Sequence, residues 1–437
     1  MASIAVPDHP ASPLPPVSEP HAGLSPEQQR RNVLLLGADM VLFMAALGLV
    51  APTTLVPLFV SKLTENPLAI GALTAVFQIG WLSQLFSAGY IERSARKRRW
   101  LLGFSGLERL PTLALALSAL TAPYLGASLV LVLVYLCRFG QSLVGGPAAT
   151  AWLDYVARAV PVERRGRFMG LSTMLGNLLG VGAAALAAPL LDRLPFPLGF
   201  AACFGIGFLI LLSGYLPLVW VVEPPGAPPR ASGPLHQQLG ELPGILAADA
   251  PFGRFLAGLA CGALGAMGVG FLVVYATTRL GASDELAAWY TAILLVGQMS
   301  ANLGFGWLAD RRGFGAVALA SCLAGAAVAA VALAAPSPLW LIAAFALVGV
   351  GQAGVMLAWL AGPMEFAPPA RRPSYIALAG AVVGLASAAA PLVGGQIVAT
   401  LGYEWMFGAG LVLSLAAVAI LGQQPRPGKR GLPQEYR

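Results

Sequence analysis

The chain has 437 residues, of which 57% are hydrophobic and only 10% are charged, and its mean hydropathy is +0.76. Soluble domains carry about 25% charged residues, so this composition excludes an ordinary water-soluble enzyme. It also excludes disorder for most of the chain, because disordered segments are polar and rich in charge. The class that remains is a protein of the lipid bilayer.

The chain opens with a proline-rich segment that has no lysine or arginine before Arg30. A secretory signal peptide begins with basic residues and continues into an apolar core, a pattern this segment lacks. Its polar, proline-rich composition is typical of disorder. We therefore predict that residues 1–32 form a disordered cytoplasmic tail.

Twelve apolar stretches follow, and most reach the length of about 20 residues that a membrane helix needs. Barrel strands would be about half as long and would alternate in polarity, which these stretches do not. The stretches therefore predict helices. They are 33–60, 68–90, 100–121, 125–152, 167–191, 197–221, 254–279, 286–309, 314–335, 339–364, 374–401 and 404–422.

The longest break between these stretches falls after the sixth of them. It begins with Glu223 followed by two prolines and a glycine, which is typical of a linker. We predict an all-α membrane protein with twelve transmembrane helices in two six-helix bundles related by pseudo-two-fold symmetry. The predicted units are an N-terminal bundle 33–222, a cytoplasmic linker 223–253, a C-terminal bundle 254–422 and a cytoplasmic tail 423–437.

The basic residues that give the net charge of +7 are distributed according to the predicted topology. Most of the 26 lysines and arginines lie on one side of the membrane if both termini are on that side. Basic residues favour the cytoplasmic side, so we expect both termini in the cytoplasm. The basic balance therefore does not indicate a nucleic-acid partner.

The two halves of the chain echo each other, as expected for a transporter built from repeats. Glu92 and Arg93 follow the second predicted helix, and Asp310 and Arg311 follow the eighth. A second echo places a proline three residues before a pair of arginines after the fourth and the tenth helix, at Pro161 and Pro368.

These loops resemble the signature of the major facilitator superfamily, a glycine followed by an Asp-Arg pair and a second glycine. The copy after the eighth helix keeps Gly306, Asp310, Arg311 and Gly313, whereas the first copy has alanines at both glycine positions. The resemblance covers roughly residues 31–422 and implies the fold of this superfamily. It also implies a cytoplasmic gate loop, for which the candidate residues are Glu92, Arg93, Asp310, Arg311 and Gly313. The alternative is that these charges are hydrated and only fix the orientation of the helices in the membrane.

Four ionisable residues lie inside predicted helices of the N-terminal half: Asp39, Glu108, Arg109 and Arg138. Each costs about 2.5–3.5 kcal/mol in the membrane centre, so such residues face a cavity or a partner. Glu108 and Arg109 are adjacent and must point at different neighbours. We expect Arg109 or Arg138 to pair with Asp39, and Glu108 to point toward the second or fourth helix.

The roles of these four residues stay open between coupling and structure. A buried carboxyl group beside an arginine can gain or lose a proton, as a proton-coupled carrier requires, but a purely structural ion pair fits equally. The resemblance associates the arginine at position 138 with proton coupling. Binding of an anion is an alternative role for Arg138, because arginine grips carboxylate and phosphate well.

The C-terminal half has almost no charge inside its predicted helices. Amide and aromatic side chains in the middle of helices can line a substrate cavity or tie helices together. The preferred cavity candidates are Trp81, Gln298 and Gln352.

The sequence favours a secondary active transporter working by alternating access. It contains no ATP-binding loop, no metal motif and no nucleophile elbow, so we expect no enzyme activity, no cofactor and no bound metal. An apolar cavity with one acid favours proton-coupled export of hydrophobic or cationic compounds, in the manner of a drug/proton antiporter. Val181, at a position where antiporters of the superfamily have proline, weakens that reading.

Two alternatives remain. One is proton-coupled or facilitated uptake of a small organic solute or anion, and the other is a non-transporting receptor or scaffold. The expected partners are a small-molecule substrate, protons and the lipid bilayer, for a monomer without nucleic acid. The Ala/Gly/Arg-rich composition indicates the plasma membrane of a bacterium with a GC-rich genome.

Overall fold

A computed structural model describes residues 25–84, 86–87, 97–160, 162–223, 244, 249–367 and 372–423, and every regular element in these ranges is helical. We number the long helices α1 to α12. They are α1 Pro26–Ala46, α2 Pro67–Trp81, α3 Arg98–Leu120, α4 Ala127–Ala159, α5 Val162–Arg193, α6 Leu198–Val219, α7 Ala250–Gly265, α8 Asp284–Arg312, α9 Phe314–Ala334, α10 Leu341–Ala361, α11 Arg372–Thr400 and α12 Tyr403–Gly422.

The first helix of each half is broken near its end. Helix α1 is followed by turns and the short helix Leu55–Ser61, so the predicted stretch 33–60 is not continuous. Helix α7 passes through the 3₁₀ turn Ala266–Phe271 into the short helix Leu272–Thr278. The same interruption thus occurs at the same place in both halves.

The start of α1 corrects the predicted boundary of the N-terminal tail. Ser25 accepts a hydrogen bond from the backbone N–H of Gln28, the Gln28 side chain accepts one in return, and Pro26 occupies the first helical turn. This capping box starts the helix seven residues before the first apolar residue that the hydropathy pattern identified. The boundary at residue 32 was therefore too late.

Nine helical stretches within the described residues are long and apolar enough to cross a membrane. They are Ala127–Val156, Arg167–Arg193, Leu198–Val219, Ala250–Thr278, Asp284–Arg312, Phe314–Ala334, Pro338–Trp359, Leu378–Thr400 and Tyr403–Gly422. Helices α1, α2 and α3 are not among them. Helices α1 and α3 contain Asp39 and the pair Glu108 and Arg109, which lower their hydropathy, and the described part of α2 has only 15 residues. The count of twelve crossings stays a prediction.

The pattern of helix packing repeats in the two halves. In the N-terminal half, α3 packs on α4 and α6, α1 packs on α5 and α6, and α2 packs on α4. In the C-terminal half, α9 packs on α10 and α12, α7 packs on α11 and α12, and α8 packs on α10. Adding six to each helix number converts one set into the other, which is the packing expected of an internal repeat.

The halves meet through two helix pairs, α5 with α8 and α2 with α11. We call the end of the bundle where α2, α4 and α8 begin the loop end, and the opposite end, where α1 begins and α12 finishes, the terminal end. At the loop end, one cluster of buried apolar side chains draws residues from both halves. Toward the terminal end, the buried apolar residues form separate clusters, one in the N-terminal half and two in the C-terminal half. The two halves therefore share a core only at the loop end.

Two polar contacts join the halves at the loop end. The Lys62 ammonium lies 2.8 Å from a carboxylate oxygen of Asp284. The hydroxyl oxygens of Thr54 and Thr291 are 2.5 Å apart, and both residues are buried. The buried hydroxyl pair is the more important contact, since exposed ion pairs contribute only about 0–1 kcal/mol.

We predict that Thr54→Val shifts the protein toward opening of the loop end. The substitution keeps the shape of the side chain but leaves the buried Thr291 hydroxyl without a partner, at a cost of about 1–3 kcal/mol in the closed state. Spin labels placed at the exposed residues Tyr124 and Leu339, after replacement of the native cysteines, should report a larger population of long distances.

Thr400→Val is the matched control for this change. The Thr400 hydroxyl donates only to carbonyls of its own helix, Gln396 among them, and it lies exposed at the loop end of α11. Its distance distribution should equal that of the wild type. An unchanged distribution in Thr54→Val would contradict the role of the hydroxyl pair.

Candidate functional site

Asp39 of α1 and Arg109 of α3 form a buried ion pair, with side chains that are 7% and 3% exposed. Nη2 of Arg109 donates to the Asp39 carboxylate, Nη1 donates to the Ser105 carbonyl, and Nε donates to the Leu211 carbonyl of α6 over 2.8 Å. The guanidinium also lies over the Tyr215 ring of α6, 5.3 Å from its centre. The pair therefore links three helices of the N-terminal half.

Arg138 of α4 is 4% exposed and has no carboxylate partner within the described residues. Its Nη1 donates to the Gln141 side-chain oxygen, and its guanidinium lies 4.2 Å from the centre of the Phe77 ring of α2. The Gln141 amide donates in turn to the Thr112 hydroxyl of α3 over 3.3 Å. Of the two pairings that the sequence left open for Asp39, the structure forms the one with Arg109.

Glu108 of α3 is 8% exposed and points away from its neighbour Arg109, toward α2 and α4. A Cβ atom on Gly145 of α4 would lie 2.9 Å from Oε1 of Glu108 and 3.7 Å from the Trp81 ring of α2. The absence of a side chain on Gly145 therefore makes room for the carboxylate. Among the described residues, Glu108 has neither a hydrogen bond nor an ion pair through its carboxylate, and its oxygens are not sealed from solvent.

These residues form one polar seam between α2, α3 and α4. Thr112 follows Glu108 by one helical turn, and Trp81 follows Phe77 by one turn, so the two aromatic rings run alongside the charged groups. The rings contact each other edge-on with centres 6.4 Å apart. We call Phe77, Trp81, Glu108, Thr112, Arg138, Gln141 and Gly145 the N-terminal seam. The sequence analysis did not identify Thr112 or Phe77 as site residues. The pattern that could have identified them is their spacing of one helical turn from Glu108 and from Trp81.

The C-terminal half places the two predicted amide residues in contact with each other. The Gln298 amide of α8 donates to the Gln352 side-chain oxygen of α10 over 2.8 Å, and both residues are half-buried. The bond links the helix pair that corresponds to α2 and α4. The two glutamines thus form a neutral pair where the N-terminal half has the charged seam.

The predicted gate loop is described only in its second copy. Asp310 and Arg311 are exposed and form no ion pair within the part of the chain that the structure describes, and the Arg311 guanidinium lies over the Trp307 ring at 4.2 Å. Gly313 ends α8 with a positive φ of 78°, a conformation that favours glycine. Glu92 and Arg93 lie outside the described residues.

Two halves that repeat one packing pattern around a membrane-spanning bundle define a two-bundle transporter. The profile described as the Major Facilitator Superfamily matches residues 40–277 and 255–435, one match over each half. The chain belongs to this superfamily of transporters.

The curated relatives that match include two fungal proteins. An MFS-type transporter of Claviceps purpurea is 35% identical over 133 residues, which is 30% of this chain and 23% of the relative. An efflux pump of Aspergillus parasiticus is 39% identical over 88 residues, which is 20% of this chain and 17% of the relative. The chain thus spans less than a quarter of the length of either relative.

Solved structures resemble the chain over most of its length. A D-xylose–proton symporter has a TM-score of 0.68 at 17% identity, and a bacterial homologue of the iron transporter ferroportin in an inward-facing state has a TM-score of 0.67 at 15% identity. Each alignment covers 92% of this chain and 99% of the other. At these identities the likeness shows the fold alone.

We predict that Asp39→Asn destabilises the protein by roughly 3–5 kcal/mol, because it leaves the Arg109 guanidinium buried without its counter-charge. The measurement is the thermal unfolding midpoint of the purified protein in detergent. Asp284→Asn is the matched control, since it breaks an ion pair whose side chains are 37% and 25% exposed. The control should cost only about 0–1 kcal/mol, and equal losses in the two variants would contradict a structural role for the Asp39 pair.

Proposed function

We propose that this transporter exports lipophilic or cationic small molecules in exchange for protons, by alternating access between its two halves. The observation that carries the proposal is the distribution of charge. Asp39, Glu108, Arg109 and Arg138 are all buried in the N-terminal half. The described helices of the C-terminal half instead offer apolar residues and the Gln298–Gln352 amide pair.

Buried charges of this kind support proton coupling. Ionisable side chains within membrane bundles are rare and mark ion pathways and proton relays. The proposed coupling group lies within the set Asp39, Glu108, Arg109 and Arg138, of which Arg109 and Asp39 already satisfy each other. The apolar wall of the opposite half suits a substrate with a hydrophobic body.

Export is supported by the relatives that are named efflux pumps, although they match only part of the chain. The proposal includes a plasma-membrane location, a monomeric protein and termini in the cytoplasm, where the basic residues concentrate. The terminal end would then face the cytoplasm. With its halves joined at the loop end, the protein would receive its substrate from the cytoplasmic side.

A second candidate function is uptake of an organic anion. It is favoured by Arg138, which is buried and has no carboxylate partner in the described residues. A carboxylate or phosphate of a substrate would provide the missing counter-charge.

The test is proton release from the detergent-solubilised protein as lipophilic cations, neutral drugs, sugars and organic anions are added in turn. We expect release with the lipophilic cations, and proton-driven flux of the same compounds in proteoliposomes. Binding of an organic anion without proton release, lost in Arg138→Gln but retained in the exposed control Arg193→Gln, would favour uptake instead. A protein that binds and moves none of these classes would contradict both candidates and favour a scaffold.

A further inference from the structure

We propose that Glu108 and Trp81 form the site for the positive charge of the substrate, and that the Glu108 carboxylate carries the exchanged proton. Asp39 is then a structural partner of Arg109 and takes no part in the exchange. This assignment rests on the proposed function and adds to it the ligand class, a monovalent organic cation with an apolar body.

The two buried carboxylates differ in how well they are satisfied. Asp39 is held by the Arg109 guanidinium, which is fixed by carbonyls of two helices, so its charge already has a partner. Glu108 is almost as buried, yet its carboxylate has no hydrogen bond or ion pair within the described residues. Burial of a carboxylate without a partner is costly, and either a proton or a cation removes that cost.

The surroundings of Glu108 fit a cation. The carboxylate and the Trp81 ring both flank Gly145, at 2.9 Å and 3.7 Å from the position of a Cβ atom there. An indole ring is the best aromatic partner for a cation. Gly145 lets the two groups come together, because any side chain there would meet Oε1 of Glu108. A carboxylate supplies the counter-charge and an indole the aromatic contact that recognition of quaternary ammonium or phosphonium groups uses.

The other ionisable groups around α3 make contacts with residues other than Glu108. Helix α1 contributes Asp39, which holds Arg109, and α4 contributes Arg138, which is bound by Gln141 and stacked on Phe77. Helices α2 and α6 carry no charged residue within their described bounds. The titratable group that α6 brings to this side of α3 is the Tyr215 phenol, which contacts Gly106 and Arg109 rather than Glu108. None of these groups forms a hydrogen bond or an ion pair with the Glu108 carboxylate in the described part of the chain.

The exchange balances in charge and protons. Without substrate, Glu108 is a neutral carboxylic acid. When a monovalent cation binds, the acid gives its proton to water, and the carboxylate takes the cation as its counter-ion. One proton leaves for each cation bound, so the charge of the site is the same in both states. Glu108 lies ten residues from the start of α3, about 15 Å from the terminal end, where the halves have separate cores.

The test uses tetraphenylphosphonium, a lipophilic cation that has no dissociable proton, so every proton released comes from the protein. Titration calorimetry of the full chain in two buffers of different ionisation enthalpy gives the protons released per cation bound. We expect close to one for the wild type. In Glu108→Gln we expect close to none, with binding weakened by about tenfold or more, because the bound cation loses its counter-charge. Asp39→Asn lowers stability, but its folded fraction should still release a proton with each bound cation.

Two further variants keep the test independent of folding in Glu108→Gln. Glu108→Asp retains the carboxylate and should restore proton release. Gly145→Ala places a methyl group 2.9 Å from Oε1 of Glu108 and should weaken binding, whereas Gly140→Ala on the same helix meets only Pro111 at 3.9 Å and should not. Weakening in Gly145→Ala alone would support the site even if Glu108→Gln failed to fold.

The outcomes separate this assignment from the proposed function. Proton release that survives in Glu108→Gln but is lost in Asp39→Asn would overturn the assignment and leave proton-coupled export standing. Proton release that survives in both variants would also overturn the assignment, because the proton would then come from another group. A wild type that releases no proton with any ligand would contradict the proposed function itself.

Discussion

A charge inside the hydrocarbon layer is stable only where other groups of the bundle satisfy it, and this constraint organises the N-terminal half. Arg109 meets it through one carboxylate, from Asp39, and through two carbonyl oxygens on α3 and α6. The guanidinium fork can hold such a set because its donors point in fixed directions. The result is a rigid junction of α1, α3 and α6, and α3 carries Glu108 on a different face, toward α4.

The second constraint is that the helices must pack closely. Lipid is as apolar as the helix surfaces, so the hydrophobic effect does not drive the helices together and close van der Waals contact must do so. Between the halves, a side chain on Gly71 of α2 would meet the Pro391 carbonyl of α11 at 2.2 Å. Within the C-terminal half, Gly297 and Gly349 meet the carbonyls of Ala346 and Leu294 in the same way. Small residues thus set both the repeated packing and the shared core at the loop end.

The sequence predicted the fold well where hydropathy alone decides it, as in the stretch 314–335, which the structure gives as Phe314–Ala334. It did not predict the turn that interrupts the stretch 33–60, because the residues that form this turn after α1 are as apolar as the helices around them. For the site, it identified the buried charges and left two partners open for Asp39. The choice of Arg109, and the contact of Glu108 with Gly145, depend on the rotation of neighbouring helices, which a hydropathy pattern does not encode.

The internal repeat shows how one packing pattern serves two kinds of chemistry. Aligning the echoed prolines Pro161 and Pro368 places Gln352 of α10 at the position of Gly145 in α4. In the N-terminal half this position is empty of side chain and admits the Glu108 carboxylate. In the C-terminal half an amide fills it and bonds to Gln298, so the polar groups there satisfy each other. At this position the second half therefore has one amide bonded to another, whereas the first half has the Glu108 carboxylate, which forms no hydrogen bond or ion pair among the described residues.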